Sequence, residues 1–404
     1  MKTYRIGVIG AGARAETFTR GLATGIDERA SLFGICDVDE DRLHTYAEYC
    51  GHTDVPLFTD PGEFLNHRDM DAVVITVPEF AHREVAAAAM AAGKHIYLEK
   101  AMAPTSAECR EIIEAHAKSS VAAFLGFNMR ASPVFSRIKE IVDTGILGQV
   151  VHISALEHCS QEHGAAFMRR FHRHRARSGG FLNTKCSHDL DFLQWLVGHD
   201  RRVAKVASFG GTNVFVPSKQ VATHCHLCPR DVRAACPYED RGGFTFPVSR
   251  KARFAKKKDA DVYGGDLCVY NDDKDIIDNQ TVLLEWDRGV RADFNLQLFG
   301  HGSSRREVRV YGEKARLDAN TGTRRIRVTV ASTGEVITHD IKPQGGGHGG
   351  ADRHMIARFV SAIEGEGRHD SGLAEGLAAT LVAEKADEAM MTGRVVVIAP
   401  EEYA

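Results

Sequence analysis

Apolar and polar positions alternate in a regular rhythm along the first third of the chain. Short apolar runs at 4–10 (YRIGVIG), 31–39 (SLFGICDVD), 72–78 (AVVITVP), 95–102 (HIYLEKAM) and 121–128 (VAAFLGFN) have the length and residue types of strands. Between them lie helical patterns. The clearest is 79–94, alanine-rich with a glycine stop, and another is 105–119, where Thr105 stands as N-cap three residues before Glu108. Strands alternating with helices predict a parallel, doubly wound sheet over about 1–127.

The texture then changes. Residues 132–148 read as a helix ending at a glycine, and 149–158 as a strand. Residues 179–198 (GGFLNTKCSHDLDFLQWLVG) begin irregular and become a helix with Leu190, Leu193, Trp195, Leu196 and Val197 on its apolar side. Strand-like runs at 202–211, 278–298, 305–319 and 325–332, joined by turns such as 287–289, predict an antiparallel sheet. Two helices follow, roughly 352–364 and 372–392. The expected fold class is α/β: a Rossmann unit at 1–127 and a second α/β unit at 128–404. A polar, cysteine-bearing excursion interrupts the second unit at about 215–265.

A length of 404 residues suits two cores rather than one. Hydrophobic content of 43% and charged content of 26% describe a globular protein. The net charge of −3 argues against a general polyanion binder. The run RRFHRHRAR (169–177) is therefore a local basic feature and not a nucleic-acid arm. No apolar run reaches the roughly 18 residues of a membrane span, and the N-terminus lacks the pattern of a secretory signal. Nine scattered cysteines, an odd number, suit reduced thiols in a cytoplasm.

The turn after the first strand, GVIGAGARA, places Gly10, Gly12 and Ala15 in a G-x-G-x-x-A pattern. Such a turn tightens at the first glycine, admits a pyrophosphate at the second and packs helix on strand at the third position. Asp37, at the end of the second strand run, would accept hydrogen bonds from the adenosine ribose. It would also repel a 2′-phosphate, which favours NAD over NADP. Arg14 could stack on adenine or reach a phosphate, which keeps NADP open.

At YLEKAMAP (97–104) a resemblance emerges. The Rossmann start, Asp37, TVPEFAH, EKAMAP and GGFLNTKCSHDLDFLQWLVG together resemble the Gfo/Idh/MocA oxidoreductases. The resemblance implies NAD or NADP chemistry on sugars, polyols and their relatives. It also implies a C-terminal domain that binds substrate and builds a dimer or tetramer through one face of a large sheet. Thr76, Pro78, Glu99 and Asn128 fall where cofactor contacts are expected. Two departures stand out. Ala101 follows the Glu99–Lys100 pair where the family usually has proline, and Thr184 stands where it often has aspartate. The local candidate set is therefore Lys100, Lys185 and His188.

Oxidation of a CHOH group needs a proton acceptor with a pKa near the working pH. His188 fits by its ordinary pKa, or it is a helix residue bonded to Asp191. Lys100, at the C-terminal edge of a Rossmann strand, would polarise a carbonyl or steady an alkoxide, or else pairs with Glu99. Lys185 would orient substrate, and if it lies near Lys100, repulsion would lower one lysine's pKa. His82 starts the helix where nicotinamide would pass. Asn128 and Arg130 could face cofactor or substrate. His348, in GGGHGG, could reach substrate on loop closure. Arg170 and Arg173 are candidates for an anionic substrate group, against a solvated or subunit-interface run. Cys225, Cys228 and Cys236 have a zinc-knuckle spacing, with a histidine or Cys268 as fourth ligand, or are reduced thiols in a loop.

Three activities remain open on sequence. The first is an NAD(P)-dependent sugar or polyol dehydrogenase. The second is an NAD-dependent oxidoreductive glycosidase, for which His188, His348 or Tyr263 would supply acid and base. The third is a non-catalytic NAD-binding sensor.

Overall fold

The computed structural model describes residues 2–239, 266–345, 347–366 and 371–404. Tyr263 and the basic run 249–258 lie outside the described residues. The first sheet has six parallel strands in the order β3-β2-β1-β4-β5-β6. They are β1 (Tyr4–Ile9), β2 (Ala30–Cys36), β3 (Leu57–Phe58), β4 (Ala72–Ile75), β5 (His95–Leu98) and β6 (Ala123–Leu125). The connecting helices are α1 (Ala15–Ala23), α2 (Glu40–Cys50), α3 (Pro61–Leu65), α4 (His82–Ala91) and α5 (Ser106–Ala117). Asp39 caps α2 through the Arg42 amide, and Thr105 caps α5 through the Glu108 amide, as its spacing predicted. β1 and β4 are almost wholly apolar and buried on both faces, which suits a parallel sheet covered on both sides.

After α6 (Pro133–Asp143) comes β7 (Val150–Ser160), then α7 (Gln161–Arg169), the single turn α8 (Arg175–Ser178) and α9 (Phe181–Val197). The strands β8 (Val203–Gly211), β9 (Asn279–Trp286), β10 (Arg291–Gly300), β11 (Arg305–Gly312), β12 (Ala315–Asn320), β13 (Arg325–Val330), β14 (Val336–Asp340) and β15 (Val396–Val397) complete a second sheet. Its order is β14-β13-β12-β11-β7-β10-β9-β8-β15. Only β7 with β10 pairs in parallel; the other pairs described are antiparallel. The short helix α10 (Arg230–Ala235) lies in the excursion. The helices α11 (Asp352–Ile363) and α12 (Leu373–Thr392) close the chain.

Two features depart from the sequence reading. Residues 179–198 have no irregular start, because α9 begins at once after Gly179 and Gly180. Gly179 has φ +72°, and a Cβ there would come within 2.1 Å of the Pro104 carbonyl oxygen. The glycine lets α9 begin against the EKAMAP loop of the other unit. The helix is also buried on nearly every side, not along one stripe. α11 returns to the first unit, where Met355, Ile356 and Phe359 share a core with Ile6, Phe18 and Tyr46. The two units are thus locked by packing as well as by the chain between them. No helix among the described residues is long and apolar enough to cross a membrane.

Candidate active site

At the C-terminal edge of the first sheet the chain turns at Gly10, with φ +100°. A Cβ there would lie 2.9 Å from the Thr76 backbone, so only glycine lets the ends of β1 and β4 close up. Thr76 Oγ1 donates to the Gly10 carbonyl at 2.9 Å and fastens the junction. At Gly12 a Cβ would meet nothing within 4 Å, so this residue opens on to space and not on to protein. Ala15 is fully buried where α1 packs on the sheet. No side chain caps α1, which leaves its first amides for an anion. Asp37 accepts from the amides of Ala11 (2.7 Å) and Asp39 (2.9 Å) and from Arg42 (3.0 Å).

Gly10, Gly12, Asp37, Arg42 and Thr76, with Pro78, Glu99 and Lys100, line a cavity of about 620 Å³. Its far wall is Phe167, Arg170, Phe171, His172 and Thr184, from the second unit. The glycine turn, the uncapped helix and the buried carboxylate fit a dinucleotide. Three expected cofactor contacts are placed otherwise. Arg14 lines the cavity, but its guanidinium is held by Glu99 at 2.6 Å and Asp352 at 2.8 Å, so it is not aimed at adenine. His82 is buried behind the wall, its ring nitrogens spanning the carbonyls of Val77 (3.0 Å) and Ala101 (2.9 Å). It ties the loop after β4 to the EKAMAP loop. Asn128 is buried against Asp352 at 3.3 Å and is absent from the cavity lining.

Lys100 does not pair with Glu99. Its ammonium donates to the Thr184 carbonyl on α9 at 2.8 Å. Burial, and then the Lys185 charge, push its pKa below the usual lysine range. Lys185 is itself paired with Glu157 at 2.8 Å, both side chains being buried. Burial works against that ammonium, but the carboxylate outweighs it and holds the pKa above the usual range. Repulsion therefore acts on Lys100, and Lys185 stays charged. His188 is not bonded to Asp191. Its Nε2 sits between two charged groups, 2.9 Å from Arg306, which only donates, and 3.3 Å from the Asp189 carboxylate, which only accepts. Burial pushes its pKa well below the usual histidine value, with Lys100 and Arg306 adding to the effect against Asp189. A neutral, deeply buried His188 is a poor proton acceptor, contrary to the expectation from its ordinary pKa. Nδ1 has no hydrogen-bond partner among the described residues.

Glu157, Asp189 and Arg306 were not anticipated. Arg306 sits directly opposite Glu157 in the β11–β7 register and reaches it at 2.9 Å, and it also binds Asp189. The signal was in the alternation. Glu157 falls among Ile153, Ala155 and Cys159 on the inward side of β7, where a lone carboxylate needs a partner.

The arginine cluster mostly serves structure. Arg173 is buried and held by Asp273 at 2.7 Å and by the carbonyls of Arg169 and Arg170. It is thus no ligand for substrate. Arg169 binds the Leu267 and Tyr238 carbonyls, and Arg175 binds Asp387. Only Arg170 of this run lines the cofactor cavity. Arg130 is fully buried, forked on to Asp191 at 2.8 and 2.6 Å, and so faces neither cofactor nor substrate. His348 is half exposed and bonded to Asp352 at 2.9 Å; it lines a second cavity together with His188.

Cys225, Cys228 and Cys236, the expected zinc ligands, are not gathered into a metal site among the described residues. Among the described residues no three His, Cys, Asp or Glu side chains come together to hold a metal. The neighbouring His226 is taken by Asp266 at 2.7 Å. All nine cysteines are free thiols.

The fold and site define a two-unit oxidoreductase whose first unit binds NAD. Residues 4–127 match the model for the oxidoreductase family NAD-binding Rossmann fold, and residues 139–398 match the one for the family's C-terminal alpha/beta domain. The chain belongs to the Gfo/Idh/MocA oxidoreductase family. It is 24% identical to YteT of Bacillus subtilis over 370 residues, 84% of each chain. It is 31% identical to myo-inositol 2-dehydrogenase of Thermotoga maritima over 198 residues, 48% of this chain and 55% of that one. The chain thus spans little more than half the length of the inositol dehydrogenases it matches. In fold it is similar to levoglucosan dehydrogenase in complex with NADH and L-sorbose, with a TM-score of 0.76 at 17% identity over 99% of this chain and 100% of that one.

Proposed function

We propose that this chain is an NAD-dependent dehydrogenase of a CHOH group in a sugar, polyol or sugar acid, with Lys100 as the proton acceptor. The observation that carries the reading is Lys100 itself. It lines the dinucleotide cavity, is fastened to α9 through Thr184, and has its ammonium disfavoured by burial and by Lys185. A lysine so placed loses its proton more readily than in water and can take one from a substrate hydroxyl. The nicotinamide, when bound, takes the hydride from the same carbon. His188, neutral and with Nδ1 unpartnered among the described residues, would exchange a hydrogen bond with a substrate hydroxyl through that nitrogen. Lys185 stays protonated on Glu157 and acts on Lys100 through its charge.

Asp37 supports NAD over NADP, because a 2′-phosphate would meet its carboxylate. The relatives' names support the substrate class, since inositol and levoglucosan dehydrogenases are among them. Phe209 and Leu283, exposed on the outer face of the second sheet, would be covered in a homodimer or homotetramer.

The test is turnover with NAD over a panel of sugars, polyols and sugar acids, read by nicotinamide absorbance. Stoichiometric NADH is expected, lost in Lys100→Met while cofactor binding persists. Release of an aglycone without NADH would replace this reading with an oxidoreductive glycosidase. Tight NAD binding without turnover on any member would replace it with a sensor.

A further inference from the structure

Beside His188 lies a second cavity of about 270 Å³. Arg306, Arg324, Lys342 and His348 contribute to its lining, and among the described residues no aspartate or glutamate does. The Arg306 charge is already answered by Glu157 and Asp189 from behind. Arg324 and Lys342 are different. Both are exposed, and neither has an ion-pair partner among the described residues. Their neighbours are taken elsewhere: Arg325 pairs with Asp340, and the Ile341 amide bonds the Arg324 carbonyl. The backbone bond between residues 324 and 341 holds the two cations on one rim. Ser132, Ser304 and Thr321 add hydroxyls to the same lining.

The position of this cavity relates it to the chemistry. Thr184, which lines the cofactor cavity, and His188, which lines this one, are four residues apart on α9 and so stand one above the other on one face. Each cavity thus borders the same side of α9, at residues one helical turn apart. Of the two arginines foreseen for an anionic group, Arg173 is committed to Asp273, and Arg170 lines the cofactor cavity.

We infer that the cavity beside His188 is a subsite for an anionic oxygen group of the substrate, a carboxylate or phosphate ester, held by Arg324 and Lys342. The substrate class is then sugar acids or sugar phosphates in preference to neutral polyols. Two cations without counter-ions, at the mouth of a cavity lined with hydroxyls and free of acids, match such a group in charge and in hydrogen-bond donors. The inference rests on the dehydrogenase reading for its link to turnover, but binding can be measured without it.

The test uses the full chain with NADH and the double variant Arg324→Met/Lys342→Met, both substitutions falling on exposed residues. D-Gluconate, D-glucuronate, D-galacturonate and D-glucose 6-phosphate are titrated calorimetrically, with D-glucitol, D-glucose and D-galactose as neutral partners. At least one anion should bind about tenfold or more tighter than its neutral partner. That preference should vanish in the double variant, while neutral ligands and NADH bind as before. A carboxylate that binds where the phosphate ester does not, or the reverse, identifies the source of the anionic group. Equal binding of anionic and neutral ligands, or a preference that survives the double substitution, overturns the subsite. Where turnover exists, KM for the anion should rise in the variant with kcat within about twofold. An anion preference without turnover on any member would keep the subsite and refute the dehydrogenase.

Discussion

Replacing Asp191 by Asn separates a structural role for Arg130 from the ligand-facing role expected from the sequence. The Arg130 and Asp191 side chains are 0% and 1% exposed, joined by two hydrogen bonds of 2.8 and 2.6 Å. Asparagine keeps the shape and one acceptor oxygen but leaves a guanidinium buried without its counter-charge. Removing one partner of such a pair costs about 3–5 kcal/mol. That is a large share of the roughly 5–15 kcal/mol that holds a domain folded. Arg130→Met/Asp191→Leu removes both charges and gives the Trp195 ring an apolar neighbour in place of the cation now 5.3 Å from it. A buried pair replaced as a unit is often near neutral, so the double variant should be more stable than Asp191→Asn alone. The assay is urea unfolding followed by tryptophan fluorescence. Both tryptophans, Trp195 and Trp286, lie in the second unit, and Trp195 adjoins the pair. KM of the folded double variant should stay within about twofold of the parent. A cost below about 1 kcal/mol for Asp191→Asn would refute the buried-pair account. A tenfold rise in KM in a stable double variant would return Arg130 to the substrate site.

Three further outcomes follow from the charges around the site. Lys185→Met removes a cation that lowers the Lys100 pKa, so that pKa should rise; the acid limb of kcat/KM for oxidation, which needs neutral Lys100, should move to higher pH, and an unmoved or lowered limb refutes Lys100 as acceptor. His163, His172 and His188 are each held well below the ordinary histidine pKa, chiefly by burial. Below about pH 6.5 the unfolded chain binds protons that the folded chain refuses, so stability present above that pH should fall by up to about 1.4 kcal/mol per pH unit for each histidine; denaturant midpoints that stay flat from pH 7 to 5 would contradict this. Asp37→Ser should raise KM for NAD and shift preference towards NADP by about tenfold or more, because the carboxylate that repels a 2′-phosphate is gone while Arg42, still paired with Asp39, keeps its positive charge beside the site; steady-state kinetics with both cofactors decide it.

The parallel sheet was legible because its strands are apolar runs with turns between them, a local pattern. The glycine turn and Asp37 were legible for the same reason, since each depends on residues within one strand–turn–helix unit. The immediate start of α9 was not, because Gly179 and Gly180 look like a loop until the Pro104 carbonyl shows why no side chain fits. The helix α7 was missed as well. It is nine residues long, contains a glycine, and follows directly on β7 with only Ser160 as its cap.

Charged residues were read least well, and for one physical reason. The chain shows where charge is dense but not what it pairs with, and the partners are far away in sequence. Arg173 finds Asp273, Arg175 finds Asp387, and Arg306 finds Glu157 across two neighbouring strands. Five arginines in nine residues drew attention by density, yet a dense run near a core needs counter-charges and is consumed by them. The cations with most to offer a ligand are sparse ones, Lys100, Arg324 and Lys342, on elements that meet only in the folded state. Strand parity narrows the search. A charged residue on the inward side of an alternating strand, as Glu157 and Arg306 both are, must have a partner or a task, and their pairing brings Lys185 and His188 to the same place.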